Sequence, residues 1–418
     1  MIPVMKLVML TNSYPYGDQE AFIEPEIRSF EKEFEEIHIY TLALPNSSIT
    51  RYVPENARVI QVCKSRYNGQ LIAMLNTINP LSWKEIFFVK KAYNYSFRSA
   101  ISLLLNFYGK APYLFMKYLE TEDRTDTIFY SYWLSHLAYT LSLFKKKNSD
   151  VFCISRAHRV DNFIDFKASL YRREIISSLN GIFPISLEGK KELETKVLPY
   201  IDSNHADIKV FHLGVDFSDI INPTKEKESM KIVSCSFIHH IKRLDIIINA
   251  LEQIEDIPIE WIHFGGGQDE QMIKDMANKK IGNKKNITYV IKGQTDHSVI
   301  LDYYNLHHVD LFINCIDHEG IPVSIMEAMA TGIVCCARDV GGNRELITNN
   351  ESGFLLEKNA GADEYAQLIL KLNCMNEKDL ASIRTNAMKK VRKEFASPDV
   401  YESFASYLKK AYEATKKE

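Results

Sequence analysis

The feature that most constrains the fold is a regular alternation of short apolar runs with longer amphipathic segments. The first six runs, rich in β-branched residues, are Val4–Thr11, Ile37–Leu42, Thr127–Tyr130, Val151–Ser155, Gly181–Ile185 and Lys209–Leu213. Runs that are apolar at nearly every position are typical of parallel strands covered by helices on both faces. The sequence therefore predicts an α/β protein built on parallel sheets.

A polar stretch interrupts this alternation. Beyond Asp216 the residues SDIINPTKEKESM are polar and charged, and five further apolar runs then follow: Lys231–Cys235, Glu260–Phe264, Asn286–Ile291, Asp310–Asn314 and Ile333–Ala337. Single cores stop growing at roughly 250–300 residues, so we expect this 418-residue chain to form two α/β domains, residues 1–217 and 218–395. A C-terminal helix over 396–418 is expected to pack back on the first domain. Ligands of such sheets bind beyond the carboxyl ends of the strands, which makes those loops and the cleft between the domains the first candidates for a site.

Composition excludes several classes of protein. The net charge of −3, with 25% charged residues, shows no basic excess that would indicate a nucleic-acid partner. No window holds the roughly 18 consecutive apolar residues that span a bilayer, and the N-terminus lacks the pattern of a signal peptide. The seven cysteines show no C-x-x-C spacing and suit reduced core residues. The sequence predicts a cytoplasmic protein.

The stretch HEGIPVSIMEAMATG, from His318 to Gly332, sets two glutamates eight residues apart around a turn. Gly320 permits a tight turn, and Pro322 gives up a donor that a helix start leaves unpaired. Free N–H groups and the helix dipole then favour an anion, and Glu319 and Glu327 can face one crevice. Alternatively, Ser324 and Glu327 form a capping box, which explains only one of the glutamates.

Three other loops of the second half follow predicted strands. SFIHHIKR, from Ser236 to Arg243, carries Lys242, which either reaches a phosphate or is a solvated surface lysine. Gly265–Gly267 suggests a dinucleotide fingerprint, but the third glycine of that motif would fall on Glu270, so we reject this interpretation. The paired glycines in Val340–Glu345 allow close approach of a ligand.

In the first half, polar residues follow the run Val151–Ser155. His158 is placed to donate to a substrate oxygen or to share a proton with Asp161, although a histidine at such a position is also commonly structural. The histidine pairs at 239–240 and 307–308 have no further ligands at zinc spacing. The sequence therefore predicts no metal site.

Taken in order, these segments resemble the family 4 glycosyltransferases, retaining enzymes of the GT-B fold, in which two Rossmann-like domains face each other across a cleft. Glu319–Gly332 carries the E-x7-E signature with its G-x-P and EAMA, and Val340–Glu345 looks like the V-G-G-x-x-E that follows it. Ser155–Asp161 is similar to the S-R-A-H-x-x-D of bacterial members, and Tyr14–Glu20 to the first loop of polysaccharide-building members. The likeness is thinnest over Leu71–Glu120.

The resemblance implies a role for each matching residue. Glu327 would bind the donor ribose, Glu319 the hydroxyls of the donor sugar, and Lys242 the leaving diphosphate, while His158 would touch the sugar from the opposite domain. No carboxylate nucleophile, metal or cofactor is implied. The further residues expected to bind the donor are Gly320, Ile321, Pro322, Val323, Arg243 and Lys292. Those expected on the acceptor side are Gly17, Arg156 and Asp161.

One position departs from the family pattern. Phe237 stands where members usually carry an arginine, so a diphosphate clamp would lose one of two cations and about 1.5–3 kcal/mol of charge-assisted hydrogen bonding. Arg243, beside Lys242, is a candidate to compensate.

The function implied is that of a retaining, metal-independent glycosyltransferase of surface polysaccharide, capsule or lipopolysaccharide assembly. It would use a nucleotide sugar and a glycan or lipid-linked acceptor. Two alternatives stay open: a non-catalytic sugar-nucleotide-binding or scaffold subunit, motivated by Phe237, and, as a weaker fit, a nucleotide-sugar epimerase.

The segment Leu81–Leu119 interleaves aromatic and basic residues, among them Trp83, Lys84, Phe87 and Lys90. Such a mixture suits a helix lying in a membrane interface, which would place the protein peripherally on the inner face of the cytoplasmic membrane. An ordinary amphipathic helix packed on its own domain fits equally well.

Overall fold

The computed structural model describes residues 5–17, 20–44, 47–64, 70–164, 167–201, 204–217, 221–223 and 229–416. The chain divides into two compact units: unit 1 comprises Met1–Gly214 with Ser397–Glu418, and unit 2 comprises Val215–Ala396. The first unit ends at Gly214, whereas the sequence pattern placed the boundary after residue 217. Ser218, the first residue of the expected second domain, lies outside the described residues.

Unit 1 is built on a seven-stranded parallel sheet in the order β3-β2-β1-β4-β5-β6-β7. Its strands are β1 (Lys6–Thr11), β2 (Glu36–Thr41), β3 (Ala57–Gln61), β4 (Thr127–Ser131), β5 (Phe152–Ala157), β6 (Gly181–Pro184) and β7 (Asp207–Ile208). The edge strand β3 is half exposed, so it lacks the apolar run that marks the others. The run expected at 209–213 is not a strand. Its residues Lys209 and Phe211 only donate alternate N–H groups to the carbonyls of Ile182 and Pro184.

Helices cover both faces of this sheet. They are α1 (Glu24–Glu33), α2 (Gln70–Asn76), α3 (Pro80–Tyr93), α4 (Phe97–Leu103), α5 (Ala111–Leu119), α6 (His136–Lys147), α7 (Arg159–Asn162), α8 (Arg172–Ser178), α9 (Leu187–Lys196) and α17 (Ser397–Thr415). In β1, Val8 and Leu10 pack into one buried cluster, and Leu7 and Met9 into another on the opposite face. Successive strand residues point to opposite faces, so a sheet covered on both sides requires the continuous apolar runs seen in the sequence.

The last helix, α17, packs against α1 in unit 1. Tyr401, Phe404 and Leu408 are fully buried in the cluster on that face of the sheet, and Lys409 forms a 2.7 Å ion pair with Glu33. The C-terminal helix is therefore part of the core of unit 1.

The aromatic and basic segment is not one helix. It is divided into α3, α4 and α5, with a wide helical turn over Leu104–Tyr108. Ile86, Val89 and Phe115 are buried in the core of unit 1, so one face of the segment packs on its own unit. Phe87 and Tyr113 remain exposed.

Unit 2 holds a six-stranded parallel sheet in the order β10-β9-β8-β11-β12-β13. Its strands are β8 (Met230–Cys235), β9 (Ile259–Phe264), β10 (Ile287–Ile291), β11 (Leu311–Asn314), β12 (Cys335–Arg338) and β13 (Phe354–Leu356). Its helices are α10 (Leu244–Glu252), α11 (Glu270–Ile281), α12 (His297–Leu306), α13 (Val323–Ala330), α14 (Asn343–Leu346), α15 (Ala362–Asn373) and α16 (Glu377–Glu394). The three-residue edge strand β13 is too short to show a pattern in the sequence.

Candidate functional site

The strand order of unit 2 reverses direction at β8. From β8, the next strand β9 lies on one side and β11 on the other, and ligands of open α/β sheets bind beyond the carboxyl ends of the strands at such a switch point. The two loops that leave β8 and β11 there contact each other, since the Asp317 N–H donates to the Ile241 carbonyl at 3.1 Å. These loops carry Lys242 and Glu319.

Lys242 and Glu319 form an ion pair, with 2.9 Å between Nζ and Oε2. Both side chains are partly buried, so water screens the pair less than it would on an open surface. The pair brings together two of the three residues expected to act in catalysis, although 77 positions separate them in the chain.

Glu327 lies inside α13 and is buried. The helix begins at Val323, with Pro322 at its N-cap and no side-chain cap, so Ser324 is a helical residue and the capping-box alternative is wrong. Instead, the Glu327 Oε1 atom lies 2.6 Å from Nε2 of His297, the first residue of α12.

Cys235 lies at the carboxyl end of β8. Burial raises the pKa of its thiol to about 12, with a further increase from Glu327 and an opposite contribution from Lys242. Glu327 and Lys242 are therefore both near this thiol at the switch point.

Arg243 is engaged by carboxylates rather than exposed as a free cation. Its Nε and Nη2 atoms contact the two carboxylate oxygens of Asp245 at 3.0 Å each, and its Nη1 contacts Asp317 at 3.2 Å. Arg338 binds the same Asp317 oxygen at 2.6 Å. Because these contacts use all three guanidinium nitrogens of Arg243, the structure argues against Arg243 as a substitute for the missing arginine at 237.

The glycine pair at 341–342 packs against the loop that carries Glu319. Gly341 has φ +54°, and a Cβ there would lie 1.7 Å from the Glu319 carbonyl oxygen. The Gly342 N–H donates to the Gly320 carbonyl at 2.6 Å. These glycines are therefore required for close approach of two backbone segments, which differs from the expected approach of a ligand.

The glycines at 265–267 likewise allow close approach of two backbone segments, here to the loop after β8. A Cβ on Gly265 would lie 2.0 Å from the Ser236 carbonyl oxygen, and one on Gly267 would lie 2.2 Å from that of Ile238. Tight packing against residues 236–238 explains these glycines without a bound dinucleotide.

The residues between Glu319 and α13 supply few free donors. The Gly320 N–H contacts its neighbour Glu319 Oε1 at 3.3 Å, the Ile321 side chain is buried, and Pro322 has no N–H. Within the described part of the chain, the N–H groups of Val323 and Ser324 have no acceptor. These two amides at the start of α13 are available to an anion.

Lys292 follows β10 and is exposed. Its backbone N–H donates to the His263 carbonyl at 2.9 Å, and its side chain has no hydrogen bond to any described residue. His263 in turn contacts Ser234 and Ser236, the neighbours of Cys235, so the backbone of Lys292 is linked to this part of the site. The donor-binding role of its side chain stays a prediction.

In unit 1, His158 is buried at the carboxyl end of β5, against the rings of Phe22, Tyr132 and Trp133. Burial, together with the charge of Arg156, lowers the pKa of His158 to about 3. Its Nε2 atom has no hydrogen-bond partner among the described residues. The ring is therefore a neutral imidazole whose Nε2 atom is buried without a partner among the described residues.

Asp161 contacts the backbone around His158, not its ring. Its carboxylate oxygens accept the N–H groups of His158 and Leu134, both at 2.6 Å, while burial raises the pKa of this carboxyl to about 7. The expected sharing of a proton between His158 and Asp161 is wrong, because the carboxylate instead joins the loops after β4 and β5.

Arg156 is a core residue of unit 1. It is fully buried and forms a 3.0 Å ion pair with Glu26. Its other nitrogens donate to the Tyr130 hydroxyl and the Phe211 carbonyl. With its guanidinium enclosed in this way, the structure argues against the expected contact of Arg156 with an acceptor.

Gly17 lies in the loop that follows β1. It is exposed, has φ +67°, and a Cβ there would meet no atom within 4 Å, so it leaves open space at this loop. Asp18 and Gln19 of the same motif lie outside the described residues. Glu20 closes the loop by accepting the N–H groups of Asn12, Ser13 and Tyr14 at 3.1, 2.7 and 2.6 Å.

Sequence reasoning missed His297, Asp317 and Arg338. The sequence contains no signal that His297 pairs with a residue 30 positions away. Asp317 directly precedes the stretch His318–Gly332. Its position in the loop after β11 was the one feature of the sequence that indicated a role in the site.

Within the described residues, no group of three or more histidine, cysteine, aspartate or glutamate side chains is arranged to hold a metal ion. No helix in that part of the chain combines the length and hydrophobicity needed to cross a bilayer.

Comparison with known proteins supports the glycosyltransferase resemblance. Residues 216–390 match the family model described as Glycosyl transferases group 1. The chain is 30% identical over 189 residues to the O-antigen biosynthesis glycosyltransferase WbnH of Escherichia coli, covering 43% of this chain and 51% of the relative. It is 34% identical over 213 residues to the putative colanic acid biosynthesis glycosyltransferase WcaL of Salmonella typhimurium, covering 48% and 50%. The chain thus spans about half the length of these curated relatives.

Solved structures match nearly the whole chain at low sequence identity. The apo form of the lipopolysaccharide outer core galactosyltransferase WaaB superposes with a TM-score of 0.68 at 16% identity, covering 96% of this chain and 99% of that one. HepE of Anabaena, in complex with UDP-glucose, superposes with a TM-score of 0.62 at 15% identity, covering 97% and 99%. The chain has the GT-B fold, and most of its second unit matches the model of the group 1 glycosyl transferases.

Proposed function

We propose that this protein is a retaining, metal-independent glycosyltransferase of family 4. It would move a sugar from a nucleoside-diphosphate donor to a glycan or lipid-linked acceptor in surface polysaccharide biosynthesis. The observation that carries the proposal is the group of charged residues at the switch point of unit 2, in which Lys242 pairs with Glu319 and Glu327 is buried in the helix that follows Glu319. The names of the relatives, which act in O-antigen and colanic acid biosynthesis, support the same class of product.

The charges of this cluster suit the departure of a nucleoside diphosphate. Negative charge builds on the diphosphate as the glycosidic bond breaks, and preorganised donors stabilise such charge. Lys242 and the N–H groups of Val323 and Ser324 are donors of this kind. A bound diphosphate would take over Lys242, leaving the Glu319 carboxylate to accept hydroxyls of the transferred sugar.

His158 is proposed to bind the transferred sugar. Because its pKa is lowered to about 3 by burial, the ring stays neutral at physiological pH. It would act as a hydrogen-bond partner of a sugar hydroxyl and carry no charge.

The test is turnover of a panel of uridine, guanosine and adenosine diphosphate sugars with EDTA present. We expect release of nucleoside diphosphate, and a product whose anomeric configuration, measured by NMR, equals that of the donor. Lys242→Ala should lower kcat about 10²–10³-fold, the usual loss when a donor to developing negative charge is removed. Glu319→Gln and His158→Ala should also lose turnover. Glu255→Gln, at an exposed carboxylate, serves as the control.

Other results would support a different function. Nucleotide binding with no turnover of any donor would indicate a scaffold subunit, and an isomeric nucleotide sugar formed without acceptor would indicate an epimerase. Complete dependence on a divalent cation would remove the metal-independent part of the proposal.

We also propose that unit 1 contacts an anionic membrane surface. Residues 70–119 contain six basic residues and a single acidic one, Glu85. Glu85 is buried, where it accepts the Tyr171 N–H at 2.7 Å and pairs with Arg173 at 3.2 Å. The surface of this segment is therefore cationic, and its exposed apolar side chains include Leu71, Met74, Leu75, Ile78, Leu81 and Phe87. Apolar and basic residues together favour the interface of anionic lipid.

Vesicle co-sedimentation tests this contact. The protein should bind phosphatidylcholine vesicles that contain phosphatidylglycerol, and it should bind pure phosphatidylcholine weakly. The triple variant Lys84→Glu, Lys90→Glu, Lys91→Glu should lose binding. The matched variant Lys378→Glu, Lys389→Glu, Lys393→Glu, on exposed positions of α16, should retain it. Binding that responds neither to lipid charge nor to the first variant would contradict the proposal.

A further inference from the structure

The carboxylate of Glu327 has one side-chain partner in the described part of the chain. His297 Nε2 lies 2.6 Å from Oε1, and Oε2 has no hydrogen bond to any described residue. The two side chains differ in exposure, at 57% for His297 and 7% for Glu327. The histidine therefore lies at the rim of the site, and the carboxylate lies below it.

A buried carboxylate needs more than one donor. Ionised carboxylates in a protein interior are stable when their lone pairs are satisfied, and one contact on Oε1 leaves most of the acceptor capacity of Glu327 unused. The buried Tyr304 hydroxyl, whose pKa is raised by burial and also by Glu327, has no partner among the described residues either. The Oε2 atom of Glu327 is thus left to accept a hydrogen bond from a hydroxyl group of a ligand.

We propose that His297 is a positioning residue for the donor. It holds Oε1 of Glu327 so that Oε2 faces the vicinal hydroxyl pair of the donor ribose. This inference rests on the proposed function, because it takes the ligand to be a nucleoside diphosphate. Recognition of the ribose 2′-hydroxyl then depends on a residue outside the E-x7-E stretch, the first residue of α12.

Calorimetry with a nucleoside diphosphate and its 2′-deoxy counterpart tests this role. The wild-type protein should bind the ribonucleotide about 10–100-fold more tightly, the range for a hydrogen bond to a charged group. In His297→Ala, affinity for the ribonucleotide should fall about tenfold and the preference over the deoxynucleotide should largely disappear. Affinity for the deoxynucleotide should change little. Where a donor sugar is turned over, KM for the donor should rise while kcat stays within about twofold.

Two further variants separate positioning from a structural role. His297→Gln retains an N–H donor that can reach the carboxylate, and it should keep most of the 2′-hydroxyl preference. His307→Ala, at an exposed histidine just beyond the other end of α12, should behave as the wild type. A variant whose thermal unfolding is unchanged but whose preference is lost supports positioning.

Two results overturn the inference in distinguishable ways. A 2′-hydroxyl preference that survives in His297→Ala but disappears in Glu327→Gln would remove His297 and leave the proposed function intact. Absence of binding of any uridine, guanosine or adenosine diphosphate to the wild-type protein would remove both.

Discussion

Phe237 is the position at which the sequence departs from the pattern of the family it resembles. Its side chain is 57% exposed in the loop after β8, and the neighbouring Arg243 is already bound by Asp245 and Asp317. Lys242, which pairs with a single carboxylate, is therefore the cation of this loop that we propose for the diphosphate. The clamp expected from the resemblance retains one of its two charges.

Replacing Phe237 with arginine should strengthen diphosphate binding. We expect affinity for a nucleoside diphosphate to rise about three- to tenfold, the lower part of the range for charge-assisted hydrogen bonds, because the position is exposed. Calorimetry against the wild type measures the change. Met272→Arg adds the same charge at a residue of equal exposure on α11, and it controls for long-range attraction. An equal increase in nucleotide affinity in both variants would show that the effect comes from the added charge and not from a contact at position 237.

Position 341 requires glycine for two reasons: its φ is positive, and a side chain there would clash with the loop that carries Glu319. Gly341→Ala places a Cβ 1.7 Å from the Glu319 carbonyl oxygen, so the loop carrying Glu319 must shift. We expect unit 2 to lose about 1–3 kcal/mol of stability and nucleotide affinity to fall at least about tenfold. Gly293→Ala shares the positive φ, at +72°, but meets only the flexible Glu270 carboxylate at 3.4 Å. Thermal unfolding and calorimetry on both variants separate the effect of the backbone clash from that of the positive φ. Equal losses of stability and affinity in the two variants would contradict the proposed role of the clash.

At the scale of elements, α17 stabilises unit 1 through a few aromatic contacts. Phe404 is fully buried and packs on the rings of Phe183 and Phe211, with centroids 5.0 and 4.7 Å away. The Arg156 guanidinium lies 4.4 Å from the Phe404 ring. The helix thereby covers the buried ion pair between Arg156 and Glu26.

Phe404→Ala should therefore be strongly destabilising. Removing a buried phenylalanine costs about 3–5 kcal/mol, and here it also opens a path for water to a buried charge pair. Urea unfolding followed by circular dichroism measures the loss. Ser403→Ala, at the adjacent exposed position, should stay within about 0.5 kcal/mol. A small effect of Phe404→Ala would mean that α17 contributes little to the stability of unit 1.

At the scale of the whole molecule, buried histidines set the response to pH. Burial lowers the pKa of His136 and His158 to about 3 and that of His263 to about 4. Unfolding returns these groups to about 6.5, so the unfolded chain binds more protons and stability falls as pH drops below that value. His38 acts in the opposite sense. Its pKa is raised mainly by a hydrogen bond to Glu122, so its contribution is complete below about 6.5 and is lost as pH rises through its folded value.

The variant His38→Gln isolates the contribution of His38 to the pH dependence of stability. We expect the stability difference between wild type and variant to be larger at pH 5.5 than at pH 8.5, because the charged His38 contact with Glu122 exists only on the acid side. Thermal unfolding of both proteins across this range is the measurement. A difference independent of pH would show that His38 stays neutral in the folded protein.

Much of the architecture was predictable because both sheets are covered on both faces. Strands such as β1 and β11 must then be apolar at nearly every residue, and that pattern is visible without a structure. The edge strands β3 and β13 were missed, since an edge is partly exposed or too short to carry the pattern. The polar loops around Lys242 and Glu319 were identified because they follow apolar strands.

Residue roles were less predictable, since they depend on burial. Arg156 and His158 stand two positions apart in one motif, yet the arginine is enclosed in an ion pair with Glu26, 130 positions away. The histidine has a nitrogen that no described residue contacts. Similarly, Ser324 and Glu327 have capping-box spacing, but the helix starts two residues too early for Ser324 to cap it.

The sequence by itself determined the α/β class, the two-part organisation and the positions of the loops that carry the E-x7-E motif, because strand burial and turn geometry are local properties of the chain. Only the tertiary structure decided which partner each charge has: Glu319 with Lys242, Glu327 with His297, Arg243 with two aspartates. The physical reason is that a charge in a partly dry site is stabilised by whichever donors the strand order brings beside it, and these donors come from distant parts of the sequence.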